Sequence, residues 1–110
     1  MILLLRAAAT SEQIEQMLEE HQFYIKTAVD IEYRVLVGGG EAHFDCEQIL
    51  LEAGSFQENI WCASFIPIEQ KIIYESIVNI RPRQNRSMEI LDPNIREKVA
   101  QIIIEFLGGL

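Results

Sequence analysis

The sequence predicts an α+β fold over residues 1–110, one domain with a mostly antiparallel sheet of about five strands packed by two main helices and one short helix. Three observations carry this prediction. Segments rich in β-branched and aromatic residues occur as neighbours with connections of a few residues, which suits antiparallel pairs, because parallel strands need a crossover of about a dozen residues. Two longer stretches place apolar residues at helical spacing behind polar capping signals. At 110 residues a split would leave halves too small for separate cores, whereas one core buries roughly two thirds of the surface exposed by the unfolded chain.

The first element is a buried strand at Ile2 to Ala7. Its apolar run is too short, and lacks the cationic start, for a signal peptide. Thr10 with Gln13 forms a capping-box signature, and Glu12 adds negative charge where the helix dipole favours it. Ile14, Met17, Leu18 and His21 then recur at helical spacing, so the first helix is expected from about Ser11 to Gln22. His21 falls at the edge of the buried stripe or near the helix end; a ligand role is the alternative.

Tyr24 to Ile31 and Arg34 to Val37 read as two strands of a hairpin joined by Glu32 and Tyr33. Gly38-Gly39-Gly40 follows, which supplies positive φ or a close backbone approach. It makes no phosphate loop, because Glu41 follows directly where a Walker motif needs Lys and Ser or Thr.

Read as extended chain, Glu41-Ala42-His43-Phe44-Asp45-Cys46-Glu47 alternates Glu41, His43 and Asp45 onto one face. An imidazole between two carboxylates suits a divalent metal or proton transfer, and these three are the candidate catalytic and metal-ligating residues. A solvated surface edge is the competing reading. Asp45 also reads as the cap of a short helix that Gly54 terminates, a structural role that competes with the chemical one.

Asn59 to Ile66 and Ile72 to Ile80 are the clearest strands, connected by Pro67 to Lys71. Neither face of the first is polar, which places it centrally. In the second, alternation aims Glu75, Asn79 and Arg81 at one surface before Pro82 ends the ladder. Asp92-Pro93 then reads as an N-cap with proline at the first helical position. Ile95, Val99, Ile102, Ile103 and Phe106 form the stripe of a closing helix stopped by Gly108-Gly109. Ala100, Ile104 and Leu107 widen that stripe, which suits either a homodimer contact or complete burial.

Charge singles out one stretch. The chain carries nine Lys+Arg against seventeen Asp+Glu, a net charge of −8. Three of the nine cations fall within Asn79-Ile80-Arg81-Pro82-Arg83-Gln84-Asn85-Arg86-Ser87. The overall field disfavours nucleic acid and anionic membranes, so only a local patch acts on an anion, within a Debye length of about 8 to 10 Å. Arg81, Arg83 and Arg86 offer planar donor forks for carboxylate or phosphate, with Asn85 and Ser87 adding neutral hydrogen bonds. Against this stands a loop whose arginines pair with the chain's own carboxylates, such as Asp30, Glu32 or Glu75.

Cys46 and Cys62 have no CxxC spacing and read as buried free thiols. No stretch approaches the roughly 20 apolar residues of a membrane span. A reducing cytoplasm is the expected compartment, and the sequence requires no cofactor.

The motifs also carry a resemblance. Gly39-Gly40-Glu41, His43, Asp45, Glu47, Leu50-Leu51, Gly54-Ser55 and Trp61 belong to it. So do Asn79-Ile80-Arg81-Pro82, Asn85-Arg86-Ser87, Asp92-Pro93 and Ile95-Arg96-Glu97-Lys98. Over roughly residues 25 to 100 this combination resembles a family of small bacterial proteins, common in cyanobacteria, known as a domain of unknown function. The resemblance implies one cytoplasmic domain and brings no activity with it. It puts glycine where this chain has Cys62, which bears on the packing beside Trp61.

Two functions from different classes are therefore expected to compete. The first is a small binding or regulatory module, as a homodimer, whose arginine loop captures an acidic ligand or partner protein. The second is a metal-assisted hydrolase of a phosphorylated substrate or RNA, with Glu41, His43 and Asp45 as metal or acid-base groups beside an arginine clamp.

Overall fold

The structure is a computed structural model and describes residues 1–109. Its sheet has the order β1-β3-β2-β4-β5, with every neighbouring pair antiparallel. The strands are β1 (Leu3–Leu5), β2 (Ile25–Asp30), β3 (Val35–Gly38), β4 (Ile60–Ile66) and β5 (Lys71–Ile73). The helices are α1 (Ser11–Met17), α2 (His43–Glu52) and α3 (Pro93–Leu107). The predicted α+β class, strand number and helix number are all present. The radius of gyration, 12.4 Å, is close to the roughly 13 Å of one folded unit of this length.

Alternation along the strands builds two cores, one on each sheet face. Ile25 and Val29 of β2 and Trp61, Ala63 and Phe65 of β4 face α1 and α3, where they meet Met17, Ile102, Ile103 and Phe106. The intervening residues Ala28, Ile60 and Cys62 meet Cys46 and Leu50 of α2 on the opposite face. β4 is paired on both edges, which explains why neither of its faces is polar. Both cysteines are buried free thiols.

Capping follows the sequence closely. Thr10 Oγ1 accepts from Gln13 N at 3.1 Å while Gln13 Oε1 accepts from Thr10 N at 2.9 Å, the reciprocal box. Gly54 takes φ +103°, and Ser55 N and Gly54 N bond the carbonyls of Leu50 and Leu51, closing α2. Asp92 Oδ1 caps α3 through Asn94 N at 2.8 Å. Gly39 needs its missing side chain, since a Cβ there would stand 2.1 Å from the Met1 carbonyl at φ +97°.

Several boundaries depart from expectation. The first strand is only Leu3–Leu5, and α1 stops at Met17 rather than Gln22. Gln22 turns left-handed at φ +65°, and His21 stacks on Tyr24 with ring centroids 4.6 Å apart. Those contacts draw residues 18–22 off the helix axis. The β2–β3 loop spans Ile31 to Arg34, longer than the two residues expected. Asp30 Oδ1 accepts from both Glu32 N and Tyr33 N at 3.0 Å, which fixes the longer turn.

The largest correction concerns Ile72 to Ile80, where β5 ends at Ile73 and Ile77–Asn79 coil into a 3-10 turn capped by Ser76. Asn79 supplies the reason: its Oδ1 accepts from Cys62 N at 2.9 Å and its Nδ2 donates to Cys62 O at 2.8 Å. One side-chain amide thus satisfies both backbone groups of a β4 residue, where a continued β5 would have used its main chain. The expected surface of Glu75, Asn79 and Arg81 does not form, because Asn79 and Arg81 are buried.

On α3 the stripe is as read, with Val99, Ile102, Ile103, Phe106 and Leu107 buried. Of the extra apolar residues Leu107 is used by the core, while Ile104 is exposed. Ala100 and Ile104 line a shallow surface with Arg34 and Glu105, which form an ion pair. Among the described residues no helix is long and apolar enough to cross a membrane.

Candidate functional site

The arginine loop is built around two buried residues. Arg81 N donates to Asn85 O at 2.6 Å and Asn85 N to Arg81 O at 3.0 Å, closing a tight turn over Pro82, Arg83 and Gln84. The Asn85 Nδ2 group lies within 3.0 Å of the carbonyls of Asn79, Ser87 and Glu89, and its Oδ1 accepts from Leu91 N at 3.0 Å. A single side chain therefore organises residues 79–91, and because it is buried each lost bond would leave a backbone group unsatisfied. Ser87 Oγ accepts from Glu89 N at 3.1 Å, a local turn contact.

Arg81 is the second anchor. Its guanidinium lies over the Trp61 ring, with Cζ 4.0 Å from the centroid. Nη1 donates to Glu58 O at 3.2 Å and Nη2 donates to Ile60 O. Burial lowers its pKa from the ordinary arginine value, opposed by the nearby Cys62 and Glu47, and the group still carries its proton at any physiological pH. Of the three arginines, Arg83 and Arg86 remain outside. Arg86 Nε donates to Pro82 O at 2.9 Å. Among the described residues neither forms an ion pair, so the loop's cations are not taken up by Asp30, Glu32 or Glu75. Arg81, Arg83, Pro82 and Gln84 line a groove of about 460 Å³ with Gln57, Glu58 and Ile80.

The second stretch folds differently from its sequence reading. α2 begins at His43, so Glu41, His43 and Asp45 do not alternate along one extended face. Asp45 is the third residue of the helix and its Oδ2 accepts from Ala42 N at 3.1 Å. It supports the helix start from within, and Ala42 occupies the cap position assigned to Asp45. Glu41 is exposed, and its carbonyl oxygen lies 2.9 Å from His21 Nε2. Among the described residues no three His, Cys, Asp or Glu side chains gather as a metal-ligand set.

His43 packs against β4, its Nε2 3.1 Å from Ala63 O and 3.2 Å from Ser64 Oγ. A carbonyl only accepts, so Nε2 carries the proton and Nδ1 is the free acceptor. Burial lowers its pKa to about 4, with the positive fields of Lys26 and His21 acting in the same direction. At neutral pH the ring is therefore uncharged. Burial pushes the Cys46 thiol up to about 11 and the Cys62 thiol well above its ordinary value, so neither is a nucleophile at neutral pH.

The grooves beside the two stretches share one wall residue, which the sequence does not single out. Gln57 lines the arginine groove and also a second groove of about 520 Å³, formed with Lys26, His43, Phe44, Glu47 and the Ser76–Val78 turn. Glu47 is one helical turn beyond His43 and thus on the same face of α2. That i, i+4 relation was readable only with 41–47 taken as helical, and the extended reading concealed it. Lys26 lies on β2, where the sequence carries no local signal of a site.

The family described as a protein of unknown function, DUF5674, matches residues 3–106. The chain belongs to this family. No match is found among the curated proteins or among the solved structures. The DUF5674 match spans every strand and nearly all of α3, and so includes both the arginine loop and the α2 groove.

Proposed function

We propose that this DUF5674 protein is a small cytoplasmic binding or regulatory module, acting as a homodimer, whose arginine loop captures an acidic ligand or an acidic partner surface. The observation that carries the reading is the pairing of a rigid frame with free cations. Asn85 and Arg81 fix the loop from within, while Arg83 and Arg86 stay exposed with no carboxylate partner among the described residues. Donors held in place before binding lose little freedom on capturing a ligand, so their bonds translate into affinity. The net charge of −8 opposes long-range attraction of anions, and recognition is therefore short-ranged and weakened by salt.

The alternative, a metal-assisted hydrolase of a phosphorylated substrate or RNA, has less support. His43 has a low proton affinity and is bonded to β4, Asp45 is committed to the start of α2, and among the described residues no three His, Cys, Asp or Glu side chains gather as a metal-ligand set. The arrangement offers no shared point for a reacting atom near all three.

A thermal-shift titration with inorganic pyrophosphate and with polyglutamate, run on the wild type and Arg83→Ala/Arg86→Ala, tests the proposal. A ligand that binds only the folded state stabilises it by about 2.7 kcal/mol at a hundredfold excess over Kd, enough to raise Tm visibly. The expected result is a rise for at least one anion that salt suppresses and the double variant lacks. Equal behaviour of the two proteins would remove the loop from the reading. Arg81 is unsuited to this test, because its removal would also strip the face of Trp61.

A further inference from the structure

The α2 groove holds an unsatisfied polar group that the arginine loop does not explain. Glu47 is buried, at 5 % exposure. Its Oε2 is shut off from solvent with no hydrogen-bond partner, an arrangement that native interiors rarely leave open. Glu47 also lines the groove of about 520 Å³, and its other oxygen, Oε1, is not shut off from solvent, so a donor in the groove reaches the carboxyl through Oε1 rather than through the sealed Oε2. Two cations bear on this region: Lys26, which lines the same groove, and Arg81, whose pKa Glu47 raises. Neither lies within ion-pair distance of Glu47.

The rest of the wall defines what fits. Phe44, Ile77 and Val78 supply an apolar side; Phe44 and Ile77 are largely exposed, at 58 % and 75 %. His43 contributes an uncharged edge, since it is neutral and engaged with Ala63. Ser76 Oγ already accepts from Val78 N at 3.2 Å. The charged groups on the wall are one carboxyl and one ammonium, which do not pair directly; the Gln57 amide, the Ser76 hydroxyl hydrogen and His43 Nδ1 are neutral, and exposed apolar surface flanks them. Its volume falls within the roughly 300 to 1,000 Å³ range of small-molecule pockets.

We infer that the α2 groove is a binding site for a small zwitterion with an apolar body, a free apolar α-amino acid by chemical class. Its ammonium donates to the Glu47 carboxyl, its carboxylate accepts from Lys26, and its side chain covers Phe44, Ile77 and Val78. The ligand bridges a carboxyl and an ammonium that the fold holds apart, which a molecule bearing a single charge cannot do. Gln57 borders both grooves, so an occupant here sits next to the arginine loop. This site does not depend on the loop binding anything.

Isothermal titration and NMR chemical-shift mapping with L-phenylalanine, phenethylamine and 3-phenylpropionate test it on the full chain. Glu47→Gln keeps the shape of the side chain and removes only its charge, and Lys26→Met keeps the stem and removes the ammonium. L-phenylalanine is expected to saturate the wild type with Kd below about 1 mM, shifting amide signals of α2 and of residues 76–78. Each variant should weaken it about tenfold, the worth of one charged contact, with unchanged circular dichroism. Phenethylamine should lose affinity with Glu47→Gln alone, and 3-phenylpropionate with Lys26→Met alone. No saturable binding of L-phenylalanine, or binding that both variants retain in full, would overturn the site. Wild-type binding of phenethylamine as tight as that of L-phenylalanine would overturn the Lys26 contact.

Discussion

His43 donates its Nε2 proton to the Ala63 carbonyl while most of its ring is shielded, so adding a second proton costs more in the folded chain than in the unfolded one. Its pKa falls from 6.5 to about 4 on folding. Above the unfolded value both states are neutral there and stability is complete. As pH drops through 6.5 towards 4 the unfolded chain gains a proton that the folded chain resists, and stability is lost. Below the folded value the loss levels off, having reached on the order of 3 kcal/mol. Urea unfolding at about pH 7 and about pH 4.5 should show His43→Gln losing less stability than the wild type. An identical pH dependence would mean that the ring is solvated. The neighbouring thiols follow the same physics with opposite sign, since burial there favours the neutral, protonated form.

The 79–91 segment behaves as an element although it is neither helix nor strand. Its return leg is tied to the sheet edge by Ile90 N on Tyr74 O at 3.1 Å and Ser76 N on Met88 O at 3.0 Å. Arg96 of α3 seals it, with Cζ 4.1 Å from the Tyr74 ring centroid and Nη1 donating to Ile90 O at 3.1 Å. Asn85 is the hub, so Asn85→Ala should destabilise the protein by about 2 to 4 kcal/mol, the cost of several buried groups left unpaired. Chemical denaturation measures it, and a loss below about 0.5 kcal/mol, as at an ordinary surface site, would show that backbone contacts alone hold the loop. The arginine-rich composition of this segment was plain in the sequence. Its division of labour was not, because only the strand β4 beneath it buries Arg81 and leaves Arg83 outside.

For the molecule as a whole, the sheet is covered on both faces, and the apolar surface left over lies in separate places. Ile104 is one such place, 44 % exposed on α3 beside Ala100. If the homodimer of the proposed function uses this face, Ile104→Glu should convert it to monomer in sedimentation equilibrium and lower Tm only to the value of the wild type diluted to monomer, since the residue lies outside the core. A wild type that is monomeric at about 100 μM, a concentration that would populate a micromolar dimer, would remove self-association from the proposal.

The sequence by itself determined the α+β class, the caps at Thr10 and Asp92, the stop at Gly54, the buried stripe of α3 and the central place of β4. These follow from periodicity and local hydrogen bonding, which residues a few positions apart settle among themselves. Tertiary structure decided where the polar residues went. Asn79 left its strand because Cys62, distant in sequence, offered both backbone partners, and Arg81 turned inward because Trp61 and the Ile60 carbonyl receive its charge. Glu47 gained its place beside Lys26 only when α2 packed across the sheet. A polar side chain takes the partner that saves it the cost of burial, and that partner is chosen by the fold rather than by its neighbours along the chain.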